Sequence, residues 1–180
     1  MKDDFINQVK PLLPKVDYCS FRFVNKYNNV ISATRGVVEP IIISEDDGMM
    51  VSVFHNGGYG YGATSDLTKN GIQKAVDQAI NWASFTKGKL TYLPNISDLK
   101  QVTGHYYTEE IDHWSQVSTK DKSDFLLNVN KALKCKPSIS NWGASMRYNK
   151  IESLFIDTND SHVRQKISYL LPQIIVSAEH

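Results

Sequence analysis

The sequence predicts an α+β fold in which antiparallel strands form a layered sheet with packed helices. Three observations carry that reading. Between residues 17 and 64, apolar and polar residues alternate within segments bounded by turn-forming clusters, as on half-buried strands. From Thr68 to about Thr86 the apolar residues recur instead at helical spacing. After Ser118 the order helix, strand, tight turn, strand returns, so the chain reads as two related helix–strand–hairpin units, about 1–90 and 118–180, joined by a connector over about 91–117.

The first helix is expected over residues 3–13. Asp3 or Asp4 can cap it, and Phe5, Val9 and Leu12 share a face flanked by Ile6 and Leu13, while Pro11 and Pro14 blur its end. Phe21 and Phe23 then alternate with Ser20, Arg22 and Val24 as on a strand. Asn28-Asn29 reads as a turn into a second strand from Val30 to about Val38. Pro40 starts the run Ile41-Ile42-Ile43, Asp46-Asp47-Gly48 gives a turn signal, and Met49, Val51 and Val53 alternate beyond it. A further turn at His55-Asn56-Gly57-Gly58 leads into a strand from Tyr59 to about Thr64.

The long helix has its apolar positions at Ile72, Ala75, Val76, Ala79, Ile80 and Ala83, with Thr68 as N-cap and Gly88 as stop. Because alanine supplies half of that stripe, the helix can lie close against a sheet. The connector contains Pro94 and Gly104 and has a short strand near Tyr106-Tyr107. The last helix starts near Ser118 or Thr119, with Asp121 as a capping-box-like partner and Phe125, Val129, Ala132 and Leu133 as its buried face. Strands follow over about 138–149, 150–157 and 162–179, the last bent at Pro172. The hairpin turns of the two units align as Tyr27-Asn28-Asn29-Val30-Ile31-Ser32 and Tyr148-Asn149-Lys150-Ile151-Glu152-Ser153.

Composition narrows the function. The 180 residues (20.4 kDa) are 41% hydrophobic and 22% charged, and 20 Lys+Arg against 19 Asp+Glu leave a formal charge of +1. Nucleic acid is not an expected partner, because phosphate neutralisation needs concentrated cations. Cys19 and Cys135 are too few for a disulfide framework or a cysteine zinc site and fit a reducing, cytoplasmic setting. The N-terminus lacks a signal peptide's apolar run, and no stretch reaches membrane-spanning length, so no membrane is expected.

Chemistry-bearing motifs are sparse. Asn56-Gly57-Gly58-Tyr59-Gly60-Tyr61-Gly62 offers bare backbone that could cradle an anion, but the Walker ending is missing and no helix starts directly after it. A hairpin turn and a strand whose glycines admit a neighbouring backbone fit better. Gly57, Gly58, Tyr59, Gly60, Tyr61 and Gly62 are therefore the candidate contact for a partner or an extended peptide. The histidines, His55, His105, His113, His162 and His180, form no metal-binding pair, and His105 and His113 near Glu109, Glu110 and Asp112 read as a solvated loop. Glu45-Asp46-Asp47 lacks cation-loop spacing. The serines lack a nucleophile elbow, and Trp82, Trp114 and Trp142 read as core-edge anchors. No catalytic or metal-binding constellation is expected in this chain.

Residues from about Tyr18 to Lys87 resemble the TldD/PmbA family of zinc metallopeptidases, also described as modulators of DNA gyrase. The resemblance rests on Phe21-Arg22, Thr34-Arg35-Gly36-Val37-Val38-Glu39, the Asp47-Gly48 pair and Met50-Val51-Ser52-Val53-Phe54. It continues through Gly58-Tyr59-Gly60-Tyr61-Gly62-Ala63-Thr64-Ser65-Asp66-Leu67 into the alanine-rich helix, and later through Tyr148 to Ile156 and Val176-Ser177-Ala178-Glu179. It implies that the chain is an N-terminal domain, in a homo- or heterodimer of TldD/PmbA-type subunits. That domain would shape the dimer and guide extended peptide to zinc held around an HExxxH helix in a C-terminal domain. No HExxxH occurs between Thr119 and His180, so no catalytic or metal residue of the family is carried onto this chain, and zinc is expected only in the full-length protein. The competing expectation is a stand-alone, non-catalytic α+β module that binds protein or peptide.

Overall fold

The computed structural model describes residues 3–92 and 95–179; Pro94, His180 and the side chains of Asp3 and Asp4 lie outside them. The elements are α1 (Asp3–Val9), β1 (Tyr18–Thr34), β2 (Val37–Val38), β3 (Ile42–His55), β4 (Gly58–Thr64), α2 (Lys69–Thr86), β5 (Thr103–Tyr107), α3 (Thr119–Leu133), β6 (Ile139–Asp157) and β7 (His162–Ala178). The seven strands form one mixed sheet in the order β4-β3-β1-β6-β7-β5, with β2 paired to β1. Most neighbours are antiparallel; β5 runs parallel to β7, with Thr103 opposite His162 and Tyr107 opposite Lys166. The α+β class read from the sequence is the one observed.

The chain divides into two compact units assembled from interleaved segments, and the four long strands each give one part to either unit. The first unit comprises residues 1–25, 46–107 and 151–166. Its core joins Cys19, Phe21 and Phe23 of β1 to Met49, Val51 and Val53 of β3, Leu154 and Ile156 of β6, and the Ile72, Ala75, Val76, Ala79, Ala83 stripe of α2. Phe5, Ile6 and Val9 of α1 pack on this core, and the Phe5 ring meets Phe23 edge-on at 4.5 Å. The helix expected to reach residue 13 is α-helical only to Val9 and tightens to a 3-10 turn at Lys10–Leu12, because Pro11 has no N–H to continue the ladder.

The second unit comprises residues 26–45, 108–150 and 167–180. Ile31, Ala33, Ala144 and Met146 form its core with Leu126 of α3. Here the expected face of α3 is corrected. Phe125 is 58% exposed and Ala132 is exposed, whereas Lys122, Leu126 and Asn130 are buried and Val129 and Leu133 pack at the margin. Two polar side chains lie inside because each finds partners. Lys122 Nζ donates to the Trp114 carbonyl at 2.6 Å, and Asn130 is hydrogen-bonded on both sides of its amide.

The expected turns at Asn28-Asn29, Asp46-Asp47-Gly48 and Tyr148-Asn149-Lys150 are strand interiors. Asn29 explains the first. Its amide is buried, with Nδ2 donating to the Ile42 carbonyl at 3.3 Å and Oδ1 accepting from Trp114 Nε1 at 2.9 Å, so tertiary bonds replace the local ones a turn would use. The true turn lies at Arg35-Gly36, both with positive φ (51° and 79°), and it splits the strand expected to run to Val38. The two aligned Tyr-Asn segments are therefore not turns of repeated hairpins. They are stretches of neighbouring strands, and the Tyr27 and Tyr148 rings meet at 6.3 Å.

Candidate peptide-contact site

The turn before β4 forms as its residues require. Asn56 and Gly57 have φ of 51° and 76°, and His55 opposes Gly58, the register of a two-residue hairpin. Asn56 N–H donates to Asp17 Oδ2 at 2.7 Å, which fixes the turn. The pairing then runs Val53–Gly60, Val51–Gly62 and Met49–Thr64.

Alternation puts Gly58, Gly60 and Gly62 on one face of β4, and α2 lies on that face. A Cβ added at Gly58 would stand 1.8 Å from the Ala83 carbonyl oxygen, one at Gly60 2.1 Å from that of Ala79, and one at Gly62 2.1 Å from that of Ala75. Three glycines spaced by two on the strand thus face three alanines spaced by four on the helix, and the backbones touch. Thr68 caps the start of α2, its Oγ1 accepting from Gly71 N–H at 3.2 Å, and Gly88, with φ 72°, follows its end. The close approach that the glycines permit is made to the chain's own helix. Tyr59 packs its ring on Phe54 at 4.7 Å, while Tyr61 is 58% exposed.

β4 is also the terminal strand of the sheet. In a two-residue hairpin the closing pair exchanges both bonds, so Gly58, Gly60 and Gly62 point their N–H and C=O toward β3, and Tyr59, Tyr61 and Ala63 point theirs outward. At Tyr59 both outward groups are satisfied by one side chain. The Thr86 hydroxyl accepts from Tyr59 N–H at 2.9 Å and donates to the Tyr59 carbonyl at 2.6 Å. Beside this edge, α2 carries Trp82, 47% exposed, and Phe85, 62% exposed, with rings edge-to-face at 5.7 Å and Lys89 Nζ 3.7 Å from the Phe85 centroid. They join Lys74, Asp77, Gln78 and Asn81 in lining an open groove of about 510 Å³. The sequence reading of Trp82 as a core-edge anchor missed this exposed pair; spacing with Phe85 on the flank opposite Ile72 and Val76 was the available signal.

The other singled-out residues go elsewhere. His105 lines a second cavity of about 450 Å³ with Thr103, Gly104, Tyr107, His162 and Arg164, all in the first unit. His113 lies in the second unit, with Nδ1 3.2 Å from Glu110 Oε2. Glu110 Oε1 accepts from the Tyr148 hydroxyl at 3.0 Å, and burial together with that carboxylate pushes the phenol up to about 12. Glu45, Asp46 and Asp47 lie exposed in β3. Cys19 is fully buried, and its thiol is pushed up to about 12 by burial and then by the charge of Asp157. Asp157 itself closes the β6–β7 turn, accepting from the N–H groups of Asn159 and Ser161, both at 2.8 Å, and from the Tyr18 hydroxyl at 3.2 Å. Among the described residues no three His, Cys, Asp or Glu side chains come together to hold a metal ion, and no helix is long and apolar enough to cross a membrane.

Residues 19–83 match the family model described as PmbA/TldA metallopeptidase domain 1. Among solved structures, a candidate modulator of a DNA gyrase from Thermotoga maritima is similar with a TM-score of 0.71 at 13% identity, over 98% of this chain and 39% of that one. A candidate modulator of DNA gyrase from Bacteroides thetaiotaomicron gives 0.72 at 13% identity, over 97% and 40%. TldE from Thermococcus kodakarensis gives 0.69 at 12% identity, over 99% and 39%. At such identities the likeness is one of fold, and the chain spans 39–40% of the length of these structures. No curated protein matches the chain.

Proposed function

We propose that the chain acts as the N-terminal domain of a zinc-dependent peptidase of the TldD/PmbA type, a reading that starts from the match of residues 19–83 to the model of that family's first domain. In this reading it works in the cytoplasm as part of a homo- or heterodimer of TldD/PmbA-type subunits. It shapes the assembly and guides extended peptide toward a zinc site on a further domain. Among the described residues no group of side chains fits a zinc ion, so no step of hydrolysis is assigned to them. Their work is positioning.

The single observation that supports the reading most is the match of the β1–α2 segment to the metallopeptidase domain model, and the fold of the chain agrees with 39–40% of the length of longer solved structures. The peptide-guiding part rests on β4 as a terminal strand beside exposed aromatics.

The test starts with an antibody to this chain, used to size the polypeptide in its source cells. A band well above 20.4 kDa, followed by stoichiometric zinc and cleavage of an unfolded peptide by the purified longer protein, is the expected result. A longer protein that holds no zinc and cleaves nothing overturns the peptidase reading. A band at the calculated mass favours the stand-alone binding module instead.

A further inference from the structure

An edge strand presents hydrogen-bonding groups at every second residue, and proteins cover such edges unless they use them. On β4 the cover is partial. Thr86 stands where a neighbouring strand would be at Tyr59, and it satisfies both outward groups there. The next outward residues, Tyr61 and Ala63, are exposed, and among the described residues the sheet provides no strand beyond them. Their N–H and C=O groups repeat at strand spacing, so the matching occupant is another extended backbone.

The helix supplies a wall beside that position. Ala75, Ala79 and Ala83 seat α2 on the glycines of β4, while Ile72 and Val76 turn inward to the core. The opposite flank, Lys74, Gln78, Trp82 and Phe85, therefore overhangs the outer side of β4. Trp82 marks where this flank meets β4, because its Cβ lies 2.8 Å from a Cβ added at Gly60. An extended chain at the edge has alternate side chains pointing up toward this flank and down toward the Tyr61 ring. Two exposed aromatic rings in the groove favour an apolar residue at the upward position, and Lys74 with Asp77 favours no single charge.

We infer that the outer edge of β4 at Tyr61 and Ala63, walled by Trp82 and Phe85, captures an extended segment of another polypeptide by strand addition, with Thr86 setting where the added strand ends. The inference rests on the peptide-guiding reading and names the mode and the residues by which peptide is held. It assigns the glycines a different role from direct contact, since they bring the helix wall close to the edge.

Ala63→Pro isolates the edge. Its N–H points outward, so proline removes one donor and leaves the β3 pairing in place. The probe is a fluorescein-labelled peptide of alternating threonine and leucine with a lysine at each end, titrated with the 180-residue chain and followed by anisotropy. Two further versions carry N-methyl groups on alternate residues, one in each phase. Saturable binding, weakened about tenfold by Ala63→Pro and by Trp82→Ala, is the expected result. One phase of N-methylation should abolish binding while the other is tolerated. No binding at roughly millimolar chain overturns the inference, as does equal tolerance of both methylated phases, which holds even if the proline variant does not fold. Self-association of the wild type that Ala63→Pro abolishes, without peptide binding, also overturns it, because the edge then serves a second copy. Binding that passes these tests while the longer protein shows no zinc or cleavage would sink only the peptidase reading.

Discussion

The indole ring of Trp114 lies flat against the phenol ring of Tyr148, with centroids 5.4 Å apart and planes within 6° of parallel. Tyr27 meets the same phenol edge-on, and Lys122 Nζ lies 3.9 Å from the Trp114 centroid. Trp114 Nε1 also donates to Asn29, so one side chain ties an irregular segment to two strands and a helix of the second unit. Its sequence reading as a core-edge anchor agrees with this position.

Trp114→Ala should lower unfolding free energy by about 3 kcal/mol, from lost ring packing and an Asn29 carbonyl left without its donor. Trp114→Phe keeps the stack and loses the bond, and should cost about 1 kcal/mol. Urea unfolding of the three proteins checks both values. Equal stability of Trp114→Ala and the parent chain would show that the segment is not anchored through this ring.

Gly60→Ala adds one methyl group to a site with no room for it. The new Cβ would meet the Ala79 oxygen at 2.1 Å and the Ala83 nitrogen at 2.4 Å, and both are helix backbone that cannot rotate away. The helix must lift from the strand, at an expected cost of about 3 kcal/mol or more. Gly57→Ala is the contrast: nothing stands within 4 Å of its Cβ, and only the positive φ of 76° resists the change, at about 1 kcal/mol. Thermal unfolding of both variants should rank them in that order.

Features that depend on residues three or four apart were legible in the sequence. Thr68 and Ser118 cap α2 and α3 by bonds to the N–H groups of Gly71 and Asp121, and the alanine stripe of α2 packs as its spacing indicates. Features set by distant partners were not. Asn29 resembles a turn residue until Trp114, 85 positions away, accounts for its amide. Lys122 and Asn130 carry no local signal of burial, because a polarity pattern cannot see the distant carbonyls they bond. At the candidate site the glycine spacing signalled a close backbone approach, and the helix that makes it was recognisable. That β4 ends the sheet depends on the strand order of the whole chain, so the exposed edge and its Trp82 wall stayed hidden.

Alkaline pH should destabilise the fold through three groups at once. The Tyr18 and Tyr148 phenols are pushed up from 10.0 to about 12, and the Cys19 thiol from 9.0 to about 12, chiefly by burial. The folded chain therefore keeps protons that the unfolded chain releases. Their stabilising contribution is complete below pH 9 and is lost as pH rises toward 12. The unfolding temperature should fall across that window, and Cys19→Ala should remove the part that begins near 9. At neutral pH a thiol reagent should label exposed Cys135 alone and reach Cys19 only after denaturation. Rapid labelling of both thiols in the folded chain would contradict this.

Asn130 has no exposed surface, and its amide is used on both sides. Nδ2 donates to the carbonyls of Ala33 and Leu126 at 3.0 and 3.1 Å, and Oδ1 accepts from Gly36 N–H at 3.2 Å. The side chain thus joins α3 to the Arg35-Gly36 hairpin. Asn130→Leu strands the Gly36 donor and should cost about 2 kcal/mol at any pH. Asn130→Asp differs in sign with pH. An ionised carboxylate there would face two carbonyl oxygens, so folding favours the protonated acid and raises its pKa above the unfolded value. Asn130→Asp should therefore be nearer the parent in stability at about pH 4 and lose ground as pH rises toward about 8. Chemical denaturation at those two pH values, with Asn130→Leu as the pH-independent reference, measures the difference. A gap between the two variants that stays constant with pH would mean that the carboxylate escapes to solvent, and that the amide is not held by both of its partners.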